Sequence, residues 1–121
     1  IGIEIWEQRI ERKLQLMRGA WARRRGARVG SRFGLGRAVC LLYPSQFAAG
    51  DDVTVMDYGY INCLSEKGVF IGSHSSIDRC LWLHCGGTAH GFFVLGEHSY
   101  IGCNAVMGAG GGIRIGNNVL I

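Results

Sequence analysis

The run Leu95-Gly96-Glu97-His98-Ser99-Tyr100-Ile101-Gly102-Cys103-Asn104-Ala105-Val106-Met107 places an apolar residue at every sixth position. Counting outward from it, the same spacing recurs in groups of three. The groups are Val29, Leu35, Leu41; Ala49, Val55, Ile61; Ile71, Ile77, Leu83; Leu95, Ile101, Met107; and then Ile115 and Ile121. The residue after the first member of each group is glycine every time: Gly30, Gly50, Gly72, Gly96 and Gly116. Two residues before the marked position stand mostly small or apolar side chains, among them Ala27, Val39, Val53, Val69, Leu81, Ala105, Ile113 and Val119.

Six residues make one short strand and a turn, and three such units close a triangular coil. The marked side chain and the one two before it both point inward, because strand side chains alternate. Coils stacked through parallel strands put like residues above one another, so Val29, Ala49, Ile71, Leu95 and Ile115 form one internal column. A glycine beside that column suits a tight turn, having no Cβ to clash. Successive groups start 20, 22, 24 and 20 residues apart. The surplus over eighteen always falls after the third strand, near Pro44, Glu66-Lys67-Gly68, Gly86–Gly91 and Gly110–Gly112. Such inserts project from a single edge of the prism. A β-sandwich with glycine-rich turns is the alternative, but it requires two-residue alternation and turns every eight to twelve residues.

Ahead of the ladder, residues 3–25 read as an amphipathic helix. Ile3, Trp6, Ile10, Leu14, Met17 and Trp21 follow three- and four-residue steps, and Gly26 stops the helix after Arg23-Arg24-Arg25. The division expected is a helix over 1–26 and a β-helix over 27–121. The chain starts with Ile1 rather than Met and stops in mid-repeat, so it is expected to be a fragment whose β-helix continues past Ile121.

Charge separates the two parts. Residues 1–37 hold ten of the thirteen Lys and Arg against three Glu, a net of +7; the remainder has three against six acids, a net of −3. The helix therefore has three readings: a cap whose apolar stripe covers the open first coil, a packing element between subunits, or a peripheral contact with an acidic membrane surface. The cap is the expectation. Nucleic acid is not expected as a partner, since the body carries no basic patch with aromatic platforms. Five cysteines, an odd number without short-spaced pairs, point to reduced thiols and a cytoplasmic setting, with the inner face of the membrane as the alternative site. No apolar run approaches the ~18 residues that span a bilayer.

Leu95–Tyr100, Ile101–Val106 and Ile115–Leu120 resemble the hexapeptide-repeat acetyltransferases, and Val29–Gly34 follows the pattern more loosely. The resemblance covers residues 27–121 and includes an Arg-rich leading helix. It implies an all-β fold, a left-handed parallel β-helix of about four coils; the handedness comes from the resemblance alone. It further implies a homotrimer, acetyl-CoA as acyl donor, a hydroxyl of a sugar or polysaccharide precursor as acceptor, and a His as general base. In sugar-modifying members that His follows the stretch matching Ile115–Ile121, beyond the last residue here. A non-catalytic β-helix serving as a scaffold or oligomerisation module is the alternative function.

Within the chain, His84 and His90 are the candidate catalytic residues. His84 follows Leu83 and opens the longest insert, the glycine-rich loop that carries His90. Such a loop lines an acceptor or CoA cleft, or is simply surface. His74 and His98 occupy equivalent corners and are expected to stack as surface turn residues. No metal is expected: the γ-class carbonic anhydrases share the fold, but only His84 fits one of their three ligand places, and Cys103 and Gly108 occupy the others. Cys63 and Cys85 are expected to be neighbouring thiols in adjacent coils.

Overall fold

The structure, a computed structural model, describes residues 2–121. Ile1, the first residue of the expected helical segment, lies outside them. Helix α1 (Gly2–Arg24) leads into the coils. The first coil contains β1 (Arg28–Val29), β2 (Gly34–Leu35) and β3 (Cys40–Leu42). The second contains β4 (Phe47–Ala49), β5 (Thr54–Val55) and β6 (Tyr60–Asn62). The third contains β7 (Val69–Ile71), β8 (Ser76–Ile77) and β9 (Trp82–His84), and the fourth β10 (Phe93–Leu95), β11 (Tyr100–Ile101) and β12 (Val106–Gly108). Strand β13 (Ile113–Ile115) begins a fifth.

Three parallel sheets form the faces of this β-solenoid, ordered β1-β4-β7-β10-β13, β2-β5-β8-β11 and β3-β6-β9-β12. The register is the one the hexad spacing demands. Val29 pairs with Ala49, Ala49 with Ile71, Ile71 with Leu95 and Leu95 with Ile115. Leu35, Val55, Ile77 and Ile101 make the second column, and Leu41, Ile61, Leu83 and Met107 the third. The middle coils are sealed: Val55, Ile61, Ile71, Ile77, Leu83, Leu95 and Ile101 are all fully buried. Phe47 and Phe93, each two residues before a marked position, fill the same interior.

Polar groups inside the prism link one coil to the next. Ser75 Oγ donates to the Gly96 carbonyl at 2.6 Å and accepts the Ser99 N–H at 3.0 Å. Ser99 Oγ repeats the arrangement one coil on, with the Gly116 carbonyl at 2.8 Å and the Val119 N–H at 3.0 Å. Both serines are buried, and their bonds offset the desolvation that burying a hydroxyl costs.

The glycine column has a spatial cause. A Cβ on Gly72 would lie 2.6 Å from the Gly96 carbonyl carbon, and one on Gly96 would lie 2.5 Å from that of Gly116. The left-handed backbone falls elsewhere, three residues after the first and second marked positions of each coil. Arg32, Ala38, Asp52, Tyr58, His74, Cys80, His98, Asn104 and Asn118 all have φ between 53° and 63°. That conformation costs an L-residue roughly 1–2 kcal/mol, least for Asn and Asp.

The helix corrects one expectation. Its apolar stripe does not cover the first coil: Ile3, Trp6, Ile10, Leu14, Met17 and Trp21 are all exposed, Trp6 at 64% and Trp21 at 62%. The covering face is Gln15, Gly19 and Ala22, and the contact is made to β2 and its flanks. Gly19 sits directly against the Phe33 carbonyl. Arginines satisfy the unpaired edge of the first coil: Arg23 donates to the Val29 and Gly30 carbonyls at 2.9 and 2.6 Å, and Arg18 to the Leu35 carbonyl at 3.3 Å. Arg12 reaches Thr54 Oγ1 at 3.0 Å. An open edge consists of backbone groups, so close approach by a small face bearing donors closes it better than an apolar stripe. The helix ends where the sequence indicates. Gly26 adopts φ +112°, and the Ala27 N–H to Ala22 carbonyl and Gly26 N–H to Arg23 carbonyl bonds, both 3.1 Å, close a Schellman turn.

Candidate functional site

All four inserts follow the third face, as the spacing requires. The first is a 3-10 turn at Pro44–Gln46 and the longest runs from Gly86 to Gly91. His84 ends β9 at the root of that loop. Gly86 N–H donates to His84 Nδ1 at 2.8 Å, while Nε2 lies 3.3 Å from Asn62 Nδ2 on the neighbouring strand. Both neighbours thus offer donors, and a neutral imidazole has one acceptor nitrogen. The ring therefore serves Gly86 with its proton on Nε2, or Asn62 with its proton on Nδ1. Asn62 is itself held by its Oδ1, which accepts the Leu64 N–H at 3.1 Å.

His90 lies exposed in the loop and, among the described residues, forms no hydrogen bond or ion pair. Thr88 braces the loop: its Oγ1 donates to the Gly110 carbonyl at 3.1 Å and accepts the Gly91 N–H at 3.0 Å. Of the two candidate imidazoles, His84 is tied into the sheet and His90 is free.

An aromatic row leads up to His84 on the outer surface of the third face. Tyr60 and Trp82 are cross-strand neighbours with ring planes 10° apart and centroids 6.2 Å apart. Trp82 and His84 follow at 5.7 Å and 19°. Trp82 is 42% exposed. Sequence reasoning counted inward positions and passed over this row. Its signal was there: the residues just before Leu41, Ile61, Leu83 and Met107 are Cys40, Tyr60, Trp82 and Val106, none of them charged on an outward face.

The other expected pairs are placed as follows. His74 and His98 stack at 4.9 Å with planes 14° apart, and His74 Nδ1 lies 3.6 Å from Asp52 Oδ2. Asp52 also takes the Arg32 Nε at 2.9 Å, which makes this corner a ladder of surface turn residues. Cys63 and Cys85 are buried free thiols on successive coils. Burial pushes both thiols up from their ordinary range; Cys85 adds to the rise at Cys63, and a bond with Ser65 moderates Cys85. Among the described residues, no three His, Cys, Asp or Glu side chains gather as a metal-binding group. Gly108 is paired opposite His84, and Cys103 is exposed on a separate corner.

A second polar pair stands on the next corner. The Tyr100 hydroxyl donates to Asp78 Oδ2, and the Arg79 N–H donates to Oδ1 at 2.8 Å. The Tyr100 bond holds the Asp78 carboxyl below its usual range, and the same bond raises the Tyr100 phenol.

Fold and site together define a parallel β-solenoid with an edge-closing N-terminal helix and an aromatic outer face beside a glycine-rich loop. Comparison with protein-family models, with curated proteins and with solved structures finds no significant match.

Proposed function

We propose that the chain is an acetyl-CoA-dependent O-acetyltransferase-like protein acting on a hydroxyl of a sugar or polysaccharide precursor. The observation that carries the saccharide part is the Tyr60–Trp82 row running up to His84. A sugar ring has an apolar C–H face and a polar rim. The exposed Trp82 ring suits the first, and the exposed His90 imidazole suits the second. The acyl-transfer part rests on the resemblance of the hexads to the acetyltransferases. In that chemistry the acceptor oxygen attacks the thioester carbonyl, the C–S bond breaks, and the hydroxyl proton passes through a base to the departing thiol. The resemblance puts the family's own base beyond Ile121. His90 is the imidazole of this region with both nitrogens free to share in that proton transfer. A homotrimer and a cytoplasmic setting belong to the same reading.

The test incubates the protein with acetyl-CoA and a panel of mono- and oligosaccharides, following acetyl-ester formation by mass spectrometry and donor binding by calorimetry. The expected result is donor binding and ester formation, with Trp82→Ala weakening acceptor affinity about tenfold. His90→Ala is expected to lower turnover more than donor affinity. Absence of both donor binding at millimolar acetyl-CoA and ester formation would overturn the proposal in favour of the scaffold. Sedimentation velocity tests the trimer, which a monomer would contradict.

A further inference from the structure

Because α1 closes the first coil with Gln15, Gly19 and Ala22, its apolar stripe is left without a partner among the described residues. We infer that this stripe is a docking face for an anionic lipid bilayer, on which the helix lies parallel to the surface with the solenoid standing off it. The inference is independent of the acyltransferase reading.

Three observations select that occupant. The stripe is continuous, from Ile3 through Trp6, Ile10, Leu14 and Met17 to Trp21, and it runs nearly the whole helix. A tryptophan stands near each end, separated by fifteen residues or roughly 22 Å of helix. Amphipathic indole rings favour the boundary between headgroups and acyl chains, so two of them spaced along one face set the helix flat.

The charges point the same way. Arg9, Lys13, Arg24 and Arg25 are exposed and, among the described residues, make no ion pair. By contrast, the arginines on the coil side are engaged, Arg18 with Glu11 at 3.1 Å and Arg32 with Asp52 at 2.9 Å. Helical spacing puts Arg9, Lys13 and Arg24 along one flank of the stripe, where cations reach lipid phosphates while the stripe enters the boundary layer. Met17, Ala20, Trp21 and Arg24 border an open notch on this face, apolar within and cationic at its rim. Residues 38–121, at a net of −3, stand on the far side of the helix from an anionic surface in this pose.

A second copy suits the stripe less well. An antiparallel symmetric pairing of two stripes brings the Arg9, Lys13 and Arg24 flanks of both chains together, and like charges oppose it. The helix lies on the bilayer and does not cross it: among the described residues, no helix is long and apolar enough to span a membrane.

The experiment is co-sedimentation of the whole chain with vesicles of phosphatidylglycerol and phosphatidylcholine in equal parts, against pure phosphatidylcholine, at low and high salt. The expected result is binding to the anionic vesicles that weakens at least tenfold with high salt and in pure phosphatidylcholine. The surface variant Lys13→Glu/Arg24→Glu is expected to weaken binding at least tenfold, and Trp6→Ser/Trp21→Ser to abolish it, both with unchanged circular dichroism. Should the tryptophan variant fail to fold, quenching of the wild-type tryptophans by brominated lipid reads the same insertion. Binding indifferent to lipid charge and to these substitutions would overturn the inference. So would a stable oligomer in vesicle-free solution that Trp6→Ser/Trp21→Ser dissociates, since the stripe would then be an interface between copies.

Discussion

Gly19 and Phe33 meet backbone to backbone, so close that a Cβ on Gly19 would lie 1.9 Å from the Phe33 carbonyl oxygen. This is the tightest point of the junction between helix and solenoid. Gly19→Ala is therefore expected to destabilise the protein by about 2 kcal/mol through overpacking. That exceeds the gain of about 1 kcal/mol that alanine brings to a helix interior. Chemical denaturation measures the loss, and trypsin cleavage after Arg23–Arg25 should quicken as the helix lifts. An unchanged or higher midpoint would contradict this account of the junction.

The inter-coil glycines make a graded prediction. At Gly72 a Cβ would lie 2.6 Å from the Gly96 carbonyl carbon, whereas at Gly59 the nearest atom would be a side-chain methyl of Val55 at 3.4 Å. Gly72→Ala is expected to cost about 1–3 kcal/mol, because backbone in adjacent coils cannot yield without breaking the ladder. Gly59→Ala, which meets only an ordinary side-chain contact, is expected to cost less than about 1 kcal/mol. Equal effects at the two sites would place the requirement in local backbone preference rather than coil spacing.

The Asp78–Tyr100 bond predicts a pH dependence in two arms. Asp78 has its folded pKa depressed, so its contribution is present above the unfolded carboxylate value and lost as pH falls through the folded one. Tyr100 is raised, so its share is complete below the unfolded phenol value and lost as pH rises through the folded one. An NMR titration should place the Asp78 midpoint below about 3.9, the ordinary value for the group. Tyr100→Phe should move that midpoint upward. A midpoint unmoved by the substitution would remove the hydroxyl as the chief cause.

Thiol labelling should divide the five cysteines by exposure. Cys40, Cys80 and Cys103 are exposed, and Cys63 and Cys85 are buried with their thiols held protonated. The thiolate is the reacting species, so burial and protonation act together. Three equivalents are expected to react with Ellman's reagent in the native protein, and the last two only on unfolding. Rapid labelling of all five without denaturant would show that the third face opens.

The hexad count made most of the fold legible because each marked position reports one physical event, a side chain entering a closed prism. That event has a single apolar solution, so Val55, Ile77 and Leu83 could be assigned to columns and the columns to a register. The helix was a different case. Its periodicity identified which face is apolar, which is a property of the helix alone; which face meets the solenoid depends on the surface being covered. That surface is a rim of carbonyls, and Gln15, Gly19, Ala22 and the arginines beside them match it. The spacing of Gly19 and Ala22 was the readable trace, overshadowed by Trp6 and Trp21. At the site, His84 was found through its place at the root of the insert. Tyr60 and Trp82 were missed because outward positions carry no packing constraint, and only their alignment across strands marks them.

Four inserts of two, four, six and two residues on one edge have a consequence for how such a chain can change. The lattice of three faces counts in sixes and is indifferent to what passes between the third strand and the next first strand. Residues can be gained or lost at Gly86–Gly91 or Gly110–Gly112 without shifting any column. Duplicating a whole coil would lengthen the rod by about 4.8 Å and leave its cross-section unaltered. Growth along the axis and diversification along that edge are thus separate degrees of freedom, and a grafted peptide is best accepted where the slack already collects.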